Sequence, residues 1–293
     1  MRRDARLAAW AMRPGRGDAD ALVEALSEVS TADVDGVVIG IGPGIDPGVV
    51  RLAVLAAGVR ADVPVQICAG SDAGHAALHA AAQAVLSGYQ QTLLVGAIAG
   101  AGSGAWPPAG RTADLDWRFS YPTTEEQGQH RIQQHELDGD AWFSRHDGAA
   151  EGDLLAAVEG GAGAAAFRLS GDGDGPRIAS LAGGGADPAG AGRAVARAGE
   201  RALHHVQLEL DVVDSAVIAQ LPAAEQAATA AALGLPPTKV QEVAASAPPV
   251  WALLALPGLL EGLEARDQRH GLLLSGGADG LGRATLLDTL PFA

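Results

Sequence analysis

Apolar positions along this chain recur with two alternating periods. From Ala21 to Val29 they fall at helical spacing, and Val34 to Ile41 (VDGVVIGI) follows as a short β-branched run closed by glycines and Pro43. The alternation continues. A helix is expected over Pro47 to Gly58, a strand over Val63 to Cys68, an Ala-rich helix over Ala73 to Ser87 and a strand over Thr92 to Ile98. Strands that read as unbroken apolar runs and take turns with helices predict a mostly parallel sheet covered on both faces.

Further on, Gly160 to Leu169 (GGAGAAAFRL) reads as a strand, Ser170 to Gly175 as an acidic glycine-rich turn and Arg177 to Leu181 as another strand. The pattern then repeats its style. Helices are expected over Ala189 to Leu208, Ala223 to Leu233 and Val250 to Ala265, with strands over Asp214 to Ile218, Leu272 to Ser275 and Arg283 to Leu287. This similarity of content predicts an α/β fold with an internal pseudo-repeat, its halves over residues 1–175 and 176–293. The first half carries a polar insertion over about residues 100–152, which holds Trp106, Trp117, Phe119, Tyr121, Trp142 and Phe143. A long loop folded over its own domain is the plainer reading of those rings, and a subunit contact the sharper one.

Composition changes the picture in one respect. With 40 Gly and aromatics at only 4%, the core must form by close approach of helices and strands rather than by large side chains. A formal net charge of -15 and no basic cluster beyond Met1-Arg2-Arg3 argue against nucleic acid as a partner. The single Cys68 excludes an internal disulfide framework and zinc sites of several cysteines, and fits a reducing, cytoplasmic location. Leu7 to Met12 is too short for a secretory signal, and Pro257 interrupts the run from Val250 to Leu260, so no membrane association is expected.

Three stretches carry the candidate chemistry. They are Ser71 to Gly88 (SDAGHAALHAAAQAVLSG), Asp214 to Val240 (DSAVIAQLPAAEQAATAAALGLPPTKV) and His270 to Leu287 (HGLLLSGGADGLGRATLL). In order and spacing they resemble the thiolase superfamily, especially ketosynthase III and the archaeal type of hydroxymethylglutaryl-CoA synthase. The resemblance implies a five-layered αβαβα fold of two similar halves. It also implies chemistry at a helix N-terminus, where unpaired N–H groups and the helix dipole lower a cysteine's pKa while histidine and asparagine polarise a second thioester.

On that pattern the nucleophile position falls on Ser71, or on Asp72 with one residue of slip. Ala219, before Gln220, stands at the histidine position. Ala247, before Pro248 and Pro249, stands near the asparagine position, and the chain contains no asparagine at all. Gly276 and Gly277 begin the glycine loop that closes over the active centre in the family. With every catalytic position degenerate, the resemblance implies a non-catalytic ketosynthase-III-like subunit. It would pair with a catalytically competent thiolase or ketosynthase paralogue, or with a small OB-fold companion, as a hetero-oligomer or otherwise a homodimer. Acyl-CoA or acyl-carrier-protein thioesters would be substrates of that complex, and no cofactor is implied. The alternative is an acyltransferase or carbon-carbon lyase using Ser71 or Asp72 in place of cysteine.

Plainer readings stand beside each of these residues. Ser71 needs a base, and with Ala219 opposite only Asp72 and His75 are near in sequence. His75, one turn into its helix, points away from the helix mouth by periodicity, so a capping role for Ser71 or Asp72 is the simpler assignment. Cys68 spells a ketosynthase-like Cys-Ala-Gly with its neighbours, yet using it would shift the helix register by three residues. A buried strand cysteine is the simpler reading. His75 and His79, four apart on one face, could chelate a metal but bring no third ligand, and the adjacent His204 and His205 lie on different faces. GGADGLG lacks the Lys-Ser/Thr of a phosphate loop.

Overall fold

A computed structural model describes residues 4–14, 16–42, 45–69, 72–100, 163–172, 175–185, 191–241, 251–277 and 280–289. The polar insertion with its aromatic rings lies outside these residues.

Chain order reveals the repeat. The first run is β1 (Arg6–Pro14), α1 (Ala19–Glu28), β2 (Gly36–Ile41), α2 (Pro47–Ala56), β3 (Val65–Ala69), α3 (Ala73–Ser87), β4 (Thr92–Ala99) and β5 (Gly163–Ser170). The second is β6 (Arg177–Gly184), α4 (Ala191–His205), β7 (Ser215–Ala219), α5 (Ala223–Leu233), β8 (Val240–Gln241), α6 (Trp251–Ala265), β9 (His270–Gly276) and β10 (Gly282–Asp288). Among the described residues the strands join in the order β3-β2-β4-β5-β1-β6-β10-β9-β7-β8. Read outward from the β1–β6 seam, both runs place their strands identically. Even a local device recurs. Asp35, just before β2, accepts from the N–H groups of Gln91 and Thr92 at 2.8 and 2.9 Å, while Asp214, just before β7, accepts from Arg269 and His270 at 2.9 Å each.

The sheet is mixed, which corrects the expectation of a mostly parallel one. Within each half the three outer strands pair in parallel, β3-β2-β4 and β8-β7-β9, because a helix connects each to the next. The inner pairings β4–β5, β5–β1, β6–β10 and β9–β10 are antiparallel. β9 and β10 follow one another with only a glycine loop between, and strands so joined can only run antiparallel. β1, whose apolar residues read only as a stretch too short for a signal, pairs along its whole length with β5.

Three buried clusters separate the layers. Leu22, Leu26, Val50 and Val54 of α1 and α2 cover one face of the first-half strands, against Ile39, Leu94 and Ile98. Val195, Ala198 and Leu233 of α4 and α5 cover the outer face of the second half, against Ile218, Leu272 and Leu274. Between the two sets of strands lie α3 and α6, where Leu78, Val85, Leu253 and Leu259 meet Leu93, Val95, Phe167, Leu273 and Leu287. Neighbouring residues such as Leu93 and Leu94, or Leu272 and Leu273, thus point into different layers, which is why both strand faces are apolar. The result is the five-layered αβαβα arrangement. It seats α3 at the centre of the molecule.

Helix ends follow local chemistry. Asp18 caps α1 by accepting from the Ala21 N–H at 2.7 Å. Asp18→Ala is expected to lower stability by about 1 kcal/mol in a urea titration.

Candidate functional site

The site is built around the N-terminus of α3. Gly40 of β2 lies so close beneath Ala73 that a Cβ there would collide with the Ala73 carbonyl, so the mouth of the helix rests directly on strand backbone. Asp72 occupies the N-cap position with its side chain making no capping bond. Its carboxylate is buried and instead forms an ion pair with the Arg283 guanidinium, Nη1 to Oδ2. Arg283 belongs to β10, so this pair ties the helix mouth of the first half to a strand of the second.

Arg283 stands in a cross-strand row. Ser275 of β9 lies opposite Arg283 of β10 on one side and opposite Ala219 of β7 on the other. Ala219 is fully buried, and Gln220 after it takes a left-handed backbone with φ of 62°. Gly276 ends β9, and the N–H of Gly277 donates to the Leu281 carbonyl at 2.8 Å within the loop. Ser71 and Ala247, with Pro248 and Pro249, lie outside the described residues. Of the residues anticipated from sequence, the structure therefore brings Asp72 and Ala219 to one region and places Gly276 and Gly277 at its rim.

One turn into α3, His75 is completely buried, its Nδ1 2.6 Å from Ser275 Oγ and its Nε2 2.8 Å from Thr285 Oγ1. His79, one further turn along, brings Nε2 to 3.2 Å from both the Ala284 carbonyl and Thr285 Oγ1. The two rings meet edge to face with centroids 4.7 Å apart. Because a carbonyl oxygen only accepts, His79 carries its proton on Nε2. Each nitrogen of His75 faces a hydroxyl able to donate or accept, so either neutral tautomer is satisfied.

Burial holds the His75 imidazole well below its ordinary pKa, helped by His79 beside it. Burial likewise pulls His79 down to about 4, opposed by the bond to the Ala284 carbonyl. Both rings are neutral at physiological pH. His75 thus reaches Ser275, in the same cross-strand row as Arg283, and both its nitrogens are engaged by hydroxyls of the second half. Among the described residues no three His, Cys, Asp or Glu side chains are grouped to hold a metal ion.

Cys68 lies on β3, half-buried, in register with Gly40 of β2. Burial pushes its thiol pKa up, against the influence of Arg283. It is a strand cysteine in its thiol form, not a thiolate at a helix end.

Arg283, Ser275 and Thr285 escaped the sequence reading. A signal existed. Ser275 and Thr285 are polar positions beside runs of leucine in β9 and β10, and by period two they share a face with Leu273 and Leu287, which point into the central layer.

The chain is similar in structure to the Bacillus anthracis acetyl-CoA acetyltransferase, with a TM-score of 0.72 at 17% identity over 99% of both chains. The acetyl-CoA acetyltransferase of Syntrophomonas wolfei gives a TM-score of 0.72 at 14% identity, over 99% of this chain and 100% of that one. Human mitochondrial 3-ketoacyl-CoA thiolase gives 0.68 at 15%, over 98% and 99%. No protein-family model and no curated protein sequence matches the chain. The fold is the thiolase fold, end to end. Among the described residues no helix is long and apolar enough to cross a membrane.

Proposed function

We propose that this chain is the non-catalytic member of a thiolase- or ketosynthase-type assembly that handles acyl thioesters, paired with a paralogue that keeps cysteine, histidine and asparagine. The observation that carries this reading is the Asp72–Arg283 ion pair at the mouth of α3. A carboxylate held by a guanidinium is a poor nucleophile, and the methyl of Ala219 across the row offers no proton acceptor. Solved neighbours described as acetyl-CoA acetyltransferases and a 3-ketoacyl-CoA thiolase support acyl-CoA as the substrate class of the assembly.

The partner would meet the free edge of the first half. Among the described residues β3 ends the sheet; it carries no charged residue in Val65–Ala69 and is only partly buried. An uncharged edge strand is a template for another strand. Pairing there leaves the rest of a strongly acidic surface out of the contact.

Two measurements test the reading. Purified alone and incubated with acetyl-CoA and longer acyl-CoAs, the chain is expected to keep its intact mass and to release no CoA. Co-expressed with a thiolase-type paralogue bearing the intact triad, it is expected to co-purify as a defined complex. An acyl adduct on Ser71 or Asp72, or thioester turnover by the isolated chain, would replace this reading with the acyltransferase or lyase alternative. A stable homodimer that ignores the paralogue would remove the pairing.

A further inference from the structure

We infer that His75, His79, Ser275 and Thr285 form a polar key that fixes where the mouth of α3 stands against the second half of the molecule. The inference goes beyond the pairing proposed above and does not depend on it.

The buried surface of α3 is almost featureless. Apart from the two histidines it consists of Ala73, Gly74, Ala77, Leu78, Ala81, Ala82 and Val85. Helices locate one another by fitting side-chain ridges into grooves, and a helix clad in alanine has low ridges. Sliding such a helix along its axis disturbs little apolar contact, so apolar packing specifies its position weakly. The hydrogen bonds of the histidines do not slide. A shift by one residue, about 1.5 Å along the axis, would pull both His75 nitrogens off their hydroxyls and strip His79 of the Ala284 carbonyl. That would leave buried polar groups unpaired on both sides of the contact, a state native structures avoid.

Position along α3 matters because the key sits beside the mouth. Ser275 is the direct neighbour of Arg283 across the ladder, and Thr285 lies two residues along the same strand, on the same face as Arg283. Holding these hydroxyls against α3 therefore also holds the guanidinium in reach of Asp72. Among the described residues the charged and titratable groups beside the key are Asp72 at the N-cap of α3, Arg283 on β10 and Cys68 on β3. Buried polar groups that cost stability but select one arrangement are a known device.

Nitrogen-15 spectra of the histidine side chains in the full chain test the key directly. The expected spectrum has two neutral rings that do not titrate between pH 8 and about 5.5, one of the two being protonated on Nε2. Hydrogen exchange supplies the second readout. In His75→Gln and Thr285→Val, amides over 73–79 and 282–285 should exchange at least tenfold faster, with α1 and α4 unchanged. Either buried ring titrating near its ordinary value overturns the inference, as does exchange that rises uniformly through the chain or not at all. If neither variant folds, the spectrum of the unaltered chain decides.

Discussion

Arg283→Ala is expected to lower the stability of the isolated chain by about 3 kcal/mol, because it leaves the Asp72 carboxylate buried without its counter-charge. Asp72 is only 4% exposed, so the carboxylate cannot recover its hydration without disturbing the start of α3. The positive end of the helix softens the loss, since an anion at an N-terminus gains typically up to about 1 kcal/mol, and this sets the expectation at the lower end of the range for broken buried pairs. Removing both charges tells more. A buried pair replaced as a unit by neutral groups of similar size is often close to neutral, so Asp72→Asn with Arg283→Met should recover most of the loss. Urea unfolding at pH 7 of Asp72→Asn, Arg283→Met and the double closes the cycle, with Arg283→Ala measured beside them. A cost below about 1 kcal/mol for Arg283→Ala would mean that the pair behaves as a solvated surface contact, and the carrying observation of the proposed function would lose its weight.

Legibility from sequence followed the range of the interactions involved. Elements with strong local signals, such as the VDGVVIGI strand and the Ala-rich helix ending at Gly88, lie within a few residues of their expected positions. β1 lacked such a signal, since the apolar residues of Arg6–Pro14 show no clean alternation, and its strand character comes from the β5 partner 149 to 164 positions away. The direction of strands was misjudged for a related reason. Parallel pairing was inferred from helices between strands, and that inference says nothing about β5, β1, β6 and β10, which meet at the seam of the repeat. The start of α3 is legible in the sequence, but the contacts made there are not. The partners of Asp72 and His75 lie 211 and 200 residues further along the chain, and no local pattern reports a contact of that separation.

The same distance separates what holds the fold from what stands at the α3 mouth. What the thiolase fold fixes is apolar, the three clusters that stack the layers. What the centre does is decided by a few polar side chains at the α3 mouth and the row facing it. Here those positions hold an ion pair and a methyl, and the nearby imidazoles hydrogen-bond to the hydroxyls of the opposite half. Polar groups aimed at each other across this contact hold the halves together.

Lowering the pH from 7 to 4 is expected to remove about 3 kcal/mol of stability through His79 alone. The sign follows from the direction of the shift. Burial holds the folded pKa at about 4, whereas the imidazole of an unfolded chain titrates near 6.5. Between those values the unfolded chain takes up a proton that the folded chain refuses, so stability is flat above the unfolded value and falls with pH until the folded value is passed. His75, shifted in the same direction, steepens the fall over the same window. Carboxylates act later. Asp214 is pushed up by burial, but its bonds from the His270 and Arg269 N–H groups outweigh this and hold it below its ordinary 3.8, so its loss begins only at more acid pH. Midpoints of urea unfolding measured every half unit between pH 7.5 and 2.5 therefore separate the two contributions. His79→Gln should flatten the slope between pH 6.5 and 4 while leaving the more acid part of the curve in place. An unaltered chain whose stability stays level across that interval would show that the two imidazoles are charged or hydrated in the folded state, and the closed, neutral seam described here would not exist.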